Sequence, residues 1–268
     1  MLKARIIGVS GQANSGKDTI ADYLISKHGF VRVALADPIK RFGYLVFNFS
    51  VQQLWGPSSH RNDHDKRYYL DSYAWFDALD RLNSFGKAFI ADVLHTSDQK
   101  TIDDAYTKLV RWFFWLRTEH AELSPRVMLQ TLGTEWGRES ISNDIWISAL
   151  LRTAKLLLHE DGNTQLWSYD PLSGPVAVEK TLLRGVVISD IRFENEFKAI
   201  KKEGGSVIRV TRPDTDCYAH SLGISGHKSE SQDFSLDNFD FLVQNDKSLS
   251  ELYSSVDLFL QVIFPEFH

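Results

Sequence analysis

The apolar run from Ala4 to Val9 predicts a strand near the start of the chain, and the period of the pattern changes directly after it. Ile20, Ala21, Leu24 and Ile25 recur at helical spacing, and Gly29 supplies the left-handed residue that closes such a helix. Phe30 to Leu35 alternates as a second strand. Asp37-Pro38 then reads as an N-cap and a first helical residue, and Ile39, Phe42, Gly43, Val46 and Phe47 carry the helix onward. Strand, glycine-rich turn, helix and strand in this order predict a parallel sheet with right-handed crossovers.

From about Ser50 to Ser124 the pattern turns aromatic and helical. Gly56-Pro57 is a break, His60 to Arg67 is strongly charged, Tyr68 to Leu94 is rich in aromatic residues, and Ala105 to Leu116 has helical period. The stretch is too long for a plain crossover and reads as a helical insertion. Ser124-Pro125 starts another helix with Met128, Leu129, Leu132 and Trp136 toward a core. Asn143 is placed to cap the next, whose Trp146, Ala149, Leu150, Thr153 and Leu157 share one side. Gln165 to Lys180 reads as a β-hairpin. Leu182 to Ser189 is the continuous apolar run of a central parallel strand and ends at Asp190. A short helix from Glu194 to Glu203, a strand from Val207 to Val210, a polar stretch from Arg212 to Asn238 and a strand from Phe241 to Gln244 follow. A helix then presents Leu249, Leu252, Tyr253, Val256, Leu260 and Ile263. The organisation predicted is a core from residues 1–49 and 182–268, with a mobile segment at about 212–238, and a mostly helical region over 50–181 with a hairpin near 165–180.

At 268 residues the chain can form one large α/β domain or a core with an inserted lobe. A net charge of −5 argues against a nucleic-acid polymer as partner, because no global basic field exists, yet it leaves room for local basic pockets that take single phosphates. The one cysteine, Cys217, excludes an internal disulfide and fits a reducing, cytoplasmic compartment. No secretory segment and no apolar run near the ~18 residues of a membrane span are visible, so no membrane partner is expected. Trp112, Phe113, Phe114 and Trp115 are consecutive and cannot all face one side, which points to core packing plus an oligomer contact, a homodimer being the simplest.

The turn after the first strand carries the most specific chemistry. Gly11, four residues, Gly16 and Lys17 have the spacing of a phosphate-binding loop between a strand and a helix. Glycines let the backbone wrap a phosphate chain, amides and the helix N-terminus point at the anion, and Lys17 reaches the terminal phosphates. Asn14 and Ser15 lie within the loop. The residue after the lysine is Asp18, and the hydroxyl expected there for magnesium arrives one place later at Thr19.

Four further groups could join it. Asp190, at the end of an apolar strand, stands where a magnesium-supporting acid belongs, and Arg192 would project into a phosphate cleft; alternatively Asp190 only caps the next helix. Arg126, Gln130, Thr134 and Arg138 lie four apart on one helix face, suited to a monophosphate, a sugar hydroxyl or a base edge, or else to solvent. Gly133 and Gly137 between them weaken a helix unless something approaches closely. The polar segment with Arg212, His220, His227, Lys228, Ser229 and Glu230 suits a lid, or an exposed loop. Asn245 to Ser248 can flank a nucleotide base or simply turn the chain into the last helix, with Ser248 or Asp246 as cap. The run His60, Asp63, His64, Asp65 reads as a solvated loop before a metal site.

The phosphate loop with Asp18-Thr19 shares the chain, in fixed order, with Leu35-Ala36-Asp37-Pro38-Ile39-Lys40, with Gln130, Thr134 and Arg138, and with Asp190, Arg192 and Glu196. Arg212-Pro213, the set His227, Ser229 and Glu230, and the stretch from Asp240 to Leu252 follow. Together these resemble the bacteriophage deoxynucleoside monophosphate kinases, over the first 45 residues and from about residue 125 onward; the insertion at 50–120 and the hairpin at 165–180 match nothing in that pattern. The resemblance implies an α/β P-loop kinase fold, a parallel sheet flanked by helices, with a helical acceptor-binding insertion and a lid. It implies ATP held by Gly11, Asn14, Ser15, Gly16, Lys17, Asp18 and Thr19, with Arg212 and Asn245. It implies an acceptor near Asp37, Lys40, Arg126, Gln130, Thr134, Arg138 and Glu230. Lys17, Asp190, Arg192 and Arg138 would serve catalysis, and Mg2+ would sit near Asp18, Thr19 and Asp190. Dephospho-coenzyme A kinase, another small-molecule P-loop kinase, or a nucleotide-binding regulatory protein are the alternatives.

Overall fold

A computed structural model describes residues 5–12, 14–120, 122–158, 167–170, 174–177, 183–213 and 239–265. The chain divides into two compact units, residues 1–34, 150–164 and 179–268 in one, and 35–149 with 165–178 in the other.

The first unit is built on a five-stranded parallel sheet. Its strands are β1 (Ile6–Gly11), β2 (Phe30–Arg32), β5 (Gly185–Ile188), β6 (Ser206–Thr211) and β7 (Phe241–Gln244), in the order β2-β5-β1-β6-β7. Gly8 pairs with Ile188 on one side and with Val207 on the other, so β1 is central and emerges between two neighbours. One face is covered by α1 (Lys17–His28) and α10 (Leu249–Ile263), whose Ile20, Leu24, Leu252, Val256 and Phe259 pack on Ile7, Val9, Ile208 and Val210. The other face meets α9 (Glu194–Lys202): a Cβ on Gly8 would come within 2.9 Å of the Ile200 Cδ1, so α9 lies close against the sheet here. Ile25 and Leu249, expected on apolar faces, are exposed: Ile25 follows the buried Leu24 on a different face of α1, and Leu249 is the first residue of α10. Tyr23 of α1 stacks on Tyr253 of α10, and its hydroxyl donates to Asp257, which also meets His28 at 2.8 Å.

The second unit is helical. It holds α2 (Asp37–Phe47), α3 (Val51–Trp55), α4 (Ser58–Asn62), α5 (Tyr73–Leu94), α6 (Gln99–Glu119), α7 (Pro125–Thr131), a π-helical segment (Leu132–Ile141) and the start of α8 (Ile145–Leu158). An antiparallel hairpin, β3 (Trp167–Asp170) and β4 (Gly174–Ala177), belongs to it. The stretch from residue 50 to 120 is helical as its pattern predicts, and the unit it belongs to begins already at Leu35. Helix α2 begins at Asp37 itself with Ala36 as cap, one residue before the position read from Asp37-Pro38, and α8 begins two residues beyond Asn143. Aromatic rings form the core: Phe47 packs against Phe42, Phe49, Tyr68, Trp75, Trp112 and Phe113. Trp112 and Phe113 are buried while Phe114 and Trp115 are exposed, as the run of four consecutive aromatics requires.

The charged run before this core is only partly solvated. Asp65 is buried and accepts from Arg67 Nε at 2.9 Å, from Arg67 Nη2 at 2.7 Å and from Gln53 Nε2 at 2.8 Å, so its carboxylate ties the loop to α3. Burial alone would raise the Asp65 carboxyl, but the bonds from Arg67 and Gln53 outweigh it and hold its pKa below the ordinary value. The folded pKa thus lies below the unfolded one of ~3.9, so this carboxylate stabilises the fold above that pH and ceases to do so as pH falls through the folded value. Asp65→Ala is expected to cost about 2 kcal/mol at pH 7. The deficit should shrink near pH ~3, where the wild type loses the same charge; urea midpoints at the two pH values measure it.

Candidate active site

Four functional candidates of the first unit leave the sheet at one edge, the carboxyl ends of its strands. Gly11 ends β1, Asp190 lies two residues past β5, Arg212 one past β6 and Asn245 one past β7. Ligands of open parallel sheets bind at this edge.

The loop after β1 has the shape its sequence demands. Gly16 has φ 102° and caps α1 in the left-handed region, and Asn14, a residue that tolerates this region, has φ 63°. A Cβ on Gly11 would fall 2.4 Å from the Ser15 Oγ, and one on Gly16 would fall 2.4 Å from the Asn245 Nδ2, so both glycines are also needed for close approach. Asn245 donates to the Ser15 carbonyl at 2.8 Å and ties the β7 loop to this one. Lys17 Nζ donates to the Gln12 carbonyl at 3.2 Å. No side chain caps the N-terminus of α1, whereas Ser50, Ser72, Asp98, Ser124 and Ser248 cap α3, α5, α6, α7 and α10. The first-turn amides of α1 and its dipole therefore remain an anion-binding end. Asp18 is exposed and Thr19 half-buried in that first turn. Ser248 does cap α10, so the plain reading of the last loop is right in that detail. The loop also lines a cavity of about 380 Å3 with Asn245, Asp246, Lys247, Ser248, Glu251 and Ser255.

Asp190 does not cap α9; that position is Phe193, which has no acceptor to offer. The half-buried Asp190 and the exposed Arg192 flank Ile191, whose side chain is buried and whose N–H donates to the Val9 carbonyl at 3.3 Å. Glu196, 1% exposed, accepts from the amides of Arg192 at 2.8 Å and Phe193 at 3.1 Å. The turn that carries Asp190 and Arg192 is thus held by β1 on one side and by a buried carboxylate on the other.

In the second unit, Met128, Leu132 and Trp136 form a fully buried row. Arg126 and Arg138 are half-buried and Gln130 and Thr134 exposed on the opposite face, so the polar stripe is real. The glycines between them have a different cause from the one expected. A Cβ on Gly137 would fall 2.4 Å from the Trp146 ring, and Trp146 Nε1 donates to the Gly133 carbonyl at 2.8 Å, so it is the protein's own indole that approaches this helix. Asp37 and Lys40 are half-buried on α2, and Lys40 Nζ lies 5.6 Å over the Trp55 ring. Arg61, unmarked in the sequence, is pinned by the carbonyls of Leu54 at 3.3 Å and Gly56 at 2.8 Å. Arg126 Nε donates to the Oδ1 of Asn62, the next residue. Burial first, and then the positive charge of Arg126, push the Arg61 pKa below its ordinary value.

The deoxynucleotide monophosphate kinase family model matches residues 5–165. The chain belongs to this family. The kinase is 29% identical to an Acanthamoeba polyphaga mimivirus protein named for the same activity, over 94% of this chain and 93% of that one. It is 23% identical to the deoxynucleotide monophosphate kinase of Enterobacteria phage T4, over 97% of this chain and 100% of that one. The match runs straight through residues 50–120, where the motif pattern offers nothing to compare, so the aromatic helical region is part of what the family model covers.

Among the residues expected at the site, Glu230 lies outside the described residues, as do His220, His227, Lys228 and Ser229. Arg212 is exposed at the end of β6. The His60–Asp65 run, read as a solvated loop, departs from that at Asp65, which is buried and taken by Arg67 and Gln53, while His64 meets Glu122 at 3.1 Å. Glu196 enters the sequence pattern only beside Asp190 and Arg192, without a role of its own; its place three residues after an N-cap is the signal for the role the structure shows. Arg61 sits in a charged run and has no signal of its own.

Glu196→Ala is expected to lower stability by about 1–3 kcal/mol and kinase turnover with it, because two amides of a buried turn lose their acceptor. Glu196→Gln, which keeps an acceptor oxygen, should recover most of both. Urea unfolding and turnover of the three proteins side by side give the answer.

Proposed function

We propose that the chain transfers the γ-phosphoryl of ATP to the α-phosphate of a deoxynucleoside monophosphate. The observation that carries this reading is the uncapped, glycine-turned start of α1, with Lys17 folded against the loop beneath it. The donor triphosphate lies along Gly11, Asn14, Ser15, Gly16, Lys17, Asp18 and Thr19. The cavity beside Asn245 suits the donor's base end, and Arg212 approaches the phosphates from the end of β6.

The acceptor engages Asp37, Lys40, Arg126, Gln130, Thr134 and Arg138. Its attacking phosphate oxygen is already anionic, so no strong general base is required. Positioning and charge neutralisation make up the catalysis. Lys17 follows the developing charge on the γ-phosphoryl group, and Arg192, whose backbone amide is held by Glu196, stabilises its equatorial oxygens. Arg138 orients the acceptor.

The oxygen donors near the loop fit magnesium. Asp18, Thr19 and Asp190 offer only hard oxygens, and among the described residues no group of three or more His, Cys, Asp or Glu side chains forms a protein cage. Mg2+ prefers one or two carboxylates together with phosphates and water. When bound it neutralises the charge shared by the phosphates.

Among the described residues no helix is long and apolar enough to cross a membrane. Small nucleotides in the host cytoplasm are the partners this reading requires. A second copy of the chain is the further partner we propose. Tyr73 is 85% and Phe76 53% exposed side by side on α5, with Arg117 of α6 5.4 Å over the Phe76 ring, an apolar face with a charge at its rim.

With Mg-ATP and a panel of dAMP, dCMP, dGMP and dTMP, at least one acceptor should stimulate ADP release. Lys17→Ala and Arg192→Ala should each lower kcat by about 100-fold or more while the circular dichroism spectrum is kept. Wild-type turnover in Arg192→Ala would remove Arg192 from the mechanism.

A further inference from the structure

The loop between β7 and α10 has a fixed inner side. Asn245 donates to the Ser15 carbonyl at 2.8 Å and lies against Gly16, and the Leu252 Cδ2 stands 3.9 Å from where a Cβ on Gly16 would be. Asn245 and Leu252 also line the cavity of about 380 Å3. The cavity therefore shares a wall with the phosphate loop, and a ligand that starts on the loop can continue into it.

Charge decides which end of such a ligand belongs there. Two carboxylates, Asp246 and Glu251, line the cavity against one ammonium, Lys247. Lys247 Nζ lies 3.7 Å from Glu251, whose Oε2 accepts from the Ser248 hydroxyl at 2.8 Å, so both are engaged within α10 and its cap. A wall with a surplus carboxylate repels phosphate and tolerates a neutral base. That surplus group is Asp246. Its Oδ2 accepts from Gln244 Nε2 at 2.7 Å, and its Oδ1 has no protein partner among the described residues.

A carboxylate only accepts hydrogen bonds. A base whose phosphates lie on the loop is tied to them through its ribose, so its far edge, the Watson–Crick edge, faces away from the loop. In the matched pairs adenine and hypoxanthine, or cytosine and uracil, that edge carries an amino group in the first base and a carbonyl oxygen in the second. The amino group donates to a carboxylate. The carbonyl sets lone pairs against lone pairs.

We propose that Asp246 selects the phosphoryl donor by its base, accepting from the amino group on the far edge of adenine or cytosine and disfavouring bases with a carbonyl there. This rests on the reading of the cavity as the base end of the donor site. Asp246 is then a specificity residue and not only part of the turn into α10.

The test uses wild type, Asp246→Asn and Asp246→Ala with ATP, ITP, CTP and UTP as donors and a saturating deoxynucleoside monophosphate as acceptor. In the wild type kcat/KM should favour ATP over ITP, and CTP over UTP, by about tenfold or more. Asparagine keeps an oxygen for Gln244 and puts an NH2 in the place of Oδ1. In Asp246→Asn, ITP and UTP should therefore improve while ATP and CTP decline, so that both ratios fall several-fold. Alanine should weaken ATP and CTP without improving ITP or UTP. A merely structural Asp246 would move all four donors in the same direction, and that result overturns the proposal. So does a wild type that uses ATP and ITP equally.

A second readout needs no turnover. ATP should raise the wild-type melting temperature more than ITP does, and Asp246→Asn should narrow the gap. Turnover with donor ratios that are the same in wild type and Asp246→Asn defeats the role of Asp246 and leaves the kinase reading standing. Absence of turnover on every acceptor, with ATP protection that still exceeds ITP protection through Asp246, defeats the kinase reading and leaves the base contact standing.

Discussion

The phosphate loop can serve an anion only if its own fold does not consume the amides that must face it. The structure meets this by holding the loop largely through its carbonyls. Gln12 receives Lys17 and the Ser15 amide, Ser15 receives the Asn245 side chain, and Gly16 receives the Ile20 amide as the first helical bond. The rear of the loop is closed by contact, with Ser15 Oγ against Gly11 and the Asn245 amide against Gly16, so there is no slack for the backbone to turn inward. The absence of a capping side chain on α1 follows from the same demand. A serine there would be worth roughly 1 kcal/mol to the helix and would occupy the amides a phosphate needs. Local stability is given up at one helix end, and the parallel sheet behind it absorbs the loss.

The second unit handles charge differently. Its core is a set of interlocked aromatic rings with almost no polar partners to offer, so its cations are fixed at the periphery by backbone carbonyls. Arg61 holds Leu54 and Gly56, Arg67 holds Asn48, Arg81 holds Val46 and Arg117 holds Leu70. A guanidinium anchored this way loses much of its freedom, which removes part of the ordering cost from any later encounter with an anion.

The sheet and its site edge were largely legible because the relevant signals are local. A phosphate loop is contiguous, its glycines are dictated by its own geometry, and Asp190 marks the end of a strand that is apolar throughout. The terminations at Gly29 and Gly204 are equally local, each with φ in the left-handed region. Tertiary relations were not legible. Nothing in Glu194 to Lys202 says which of its acids is buried, because that depends on where the turn before it must lie. Nothing in His60 to Arg67 separates Asp65, which is inside, from Asp63, which is outside. Gly137 was read as room for a ligand, and it is room for Trp146, nine residues later in the chain. A glycine reports that something is close without reporting what.

The π-helical segment explains why the polar stripe survives along its full length. In an α-helix residues four apart overshoot one turn, so a row taken in steps of four winds steadily around the axis. With i→i+5 bonding, seen here in the bond from the Ser142 amide to the Gly137 carbonyl, a turn needs more residues, and steps of four fall short of it. The row therefore winds one way through α7 and back through the segment that follows. Arg126, Gln130, Thr134 and Arg138 stay closer to one line than either helix type alone would keep them, and so does the buried row Met128, Leu132 and Trp136 on the other side. The wider turn leaves the Gly133 carbonyl to accept the Trp146 indole, and the missing side chain at Gly137 makes space for that ring. A helix of lower intrinsic stability is thereby locked by one tryptophan, and the lock keeps the two outer arginines of the stripe in register.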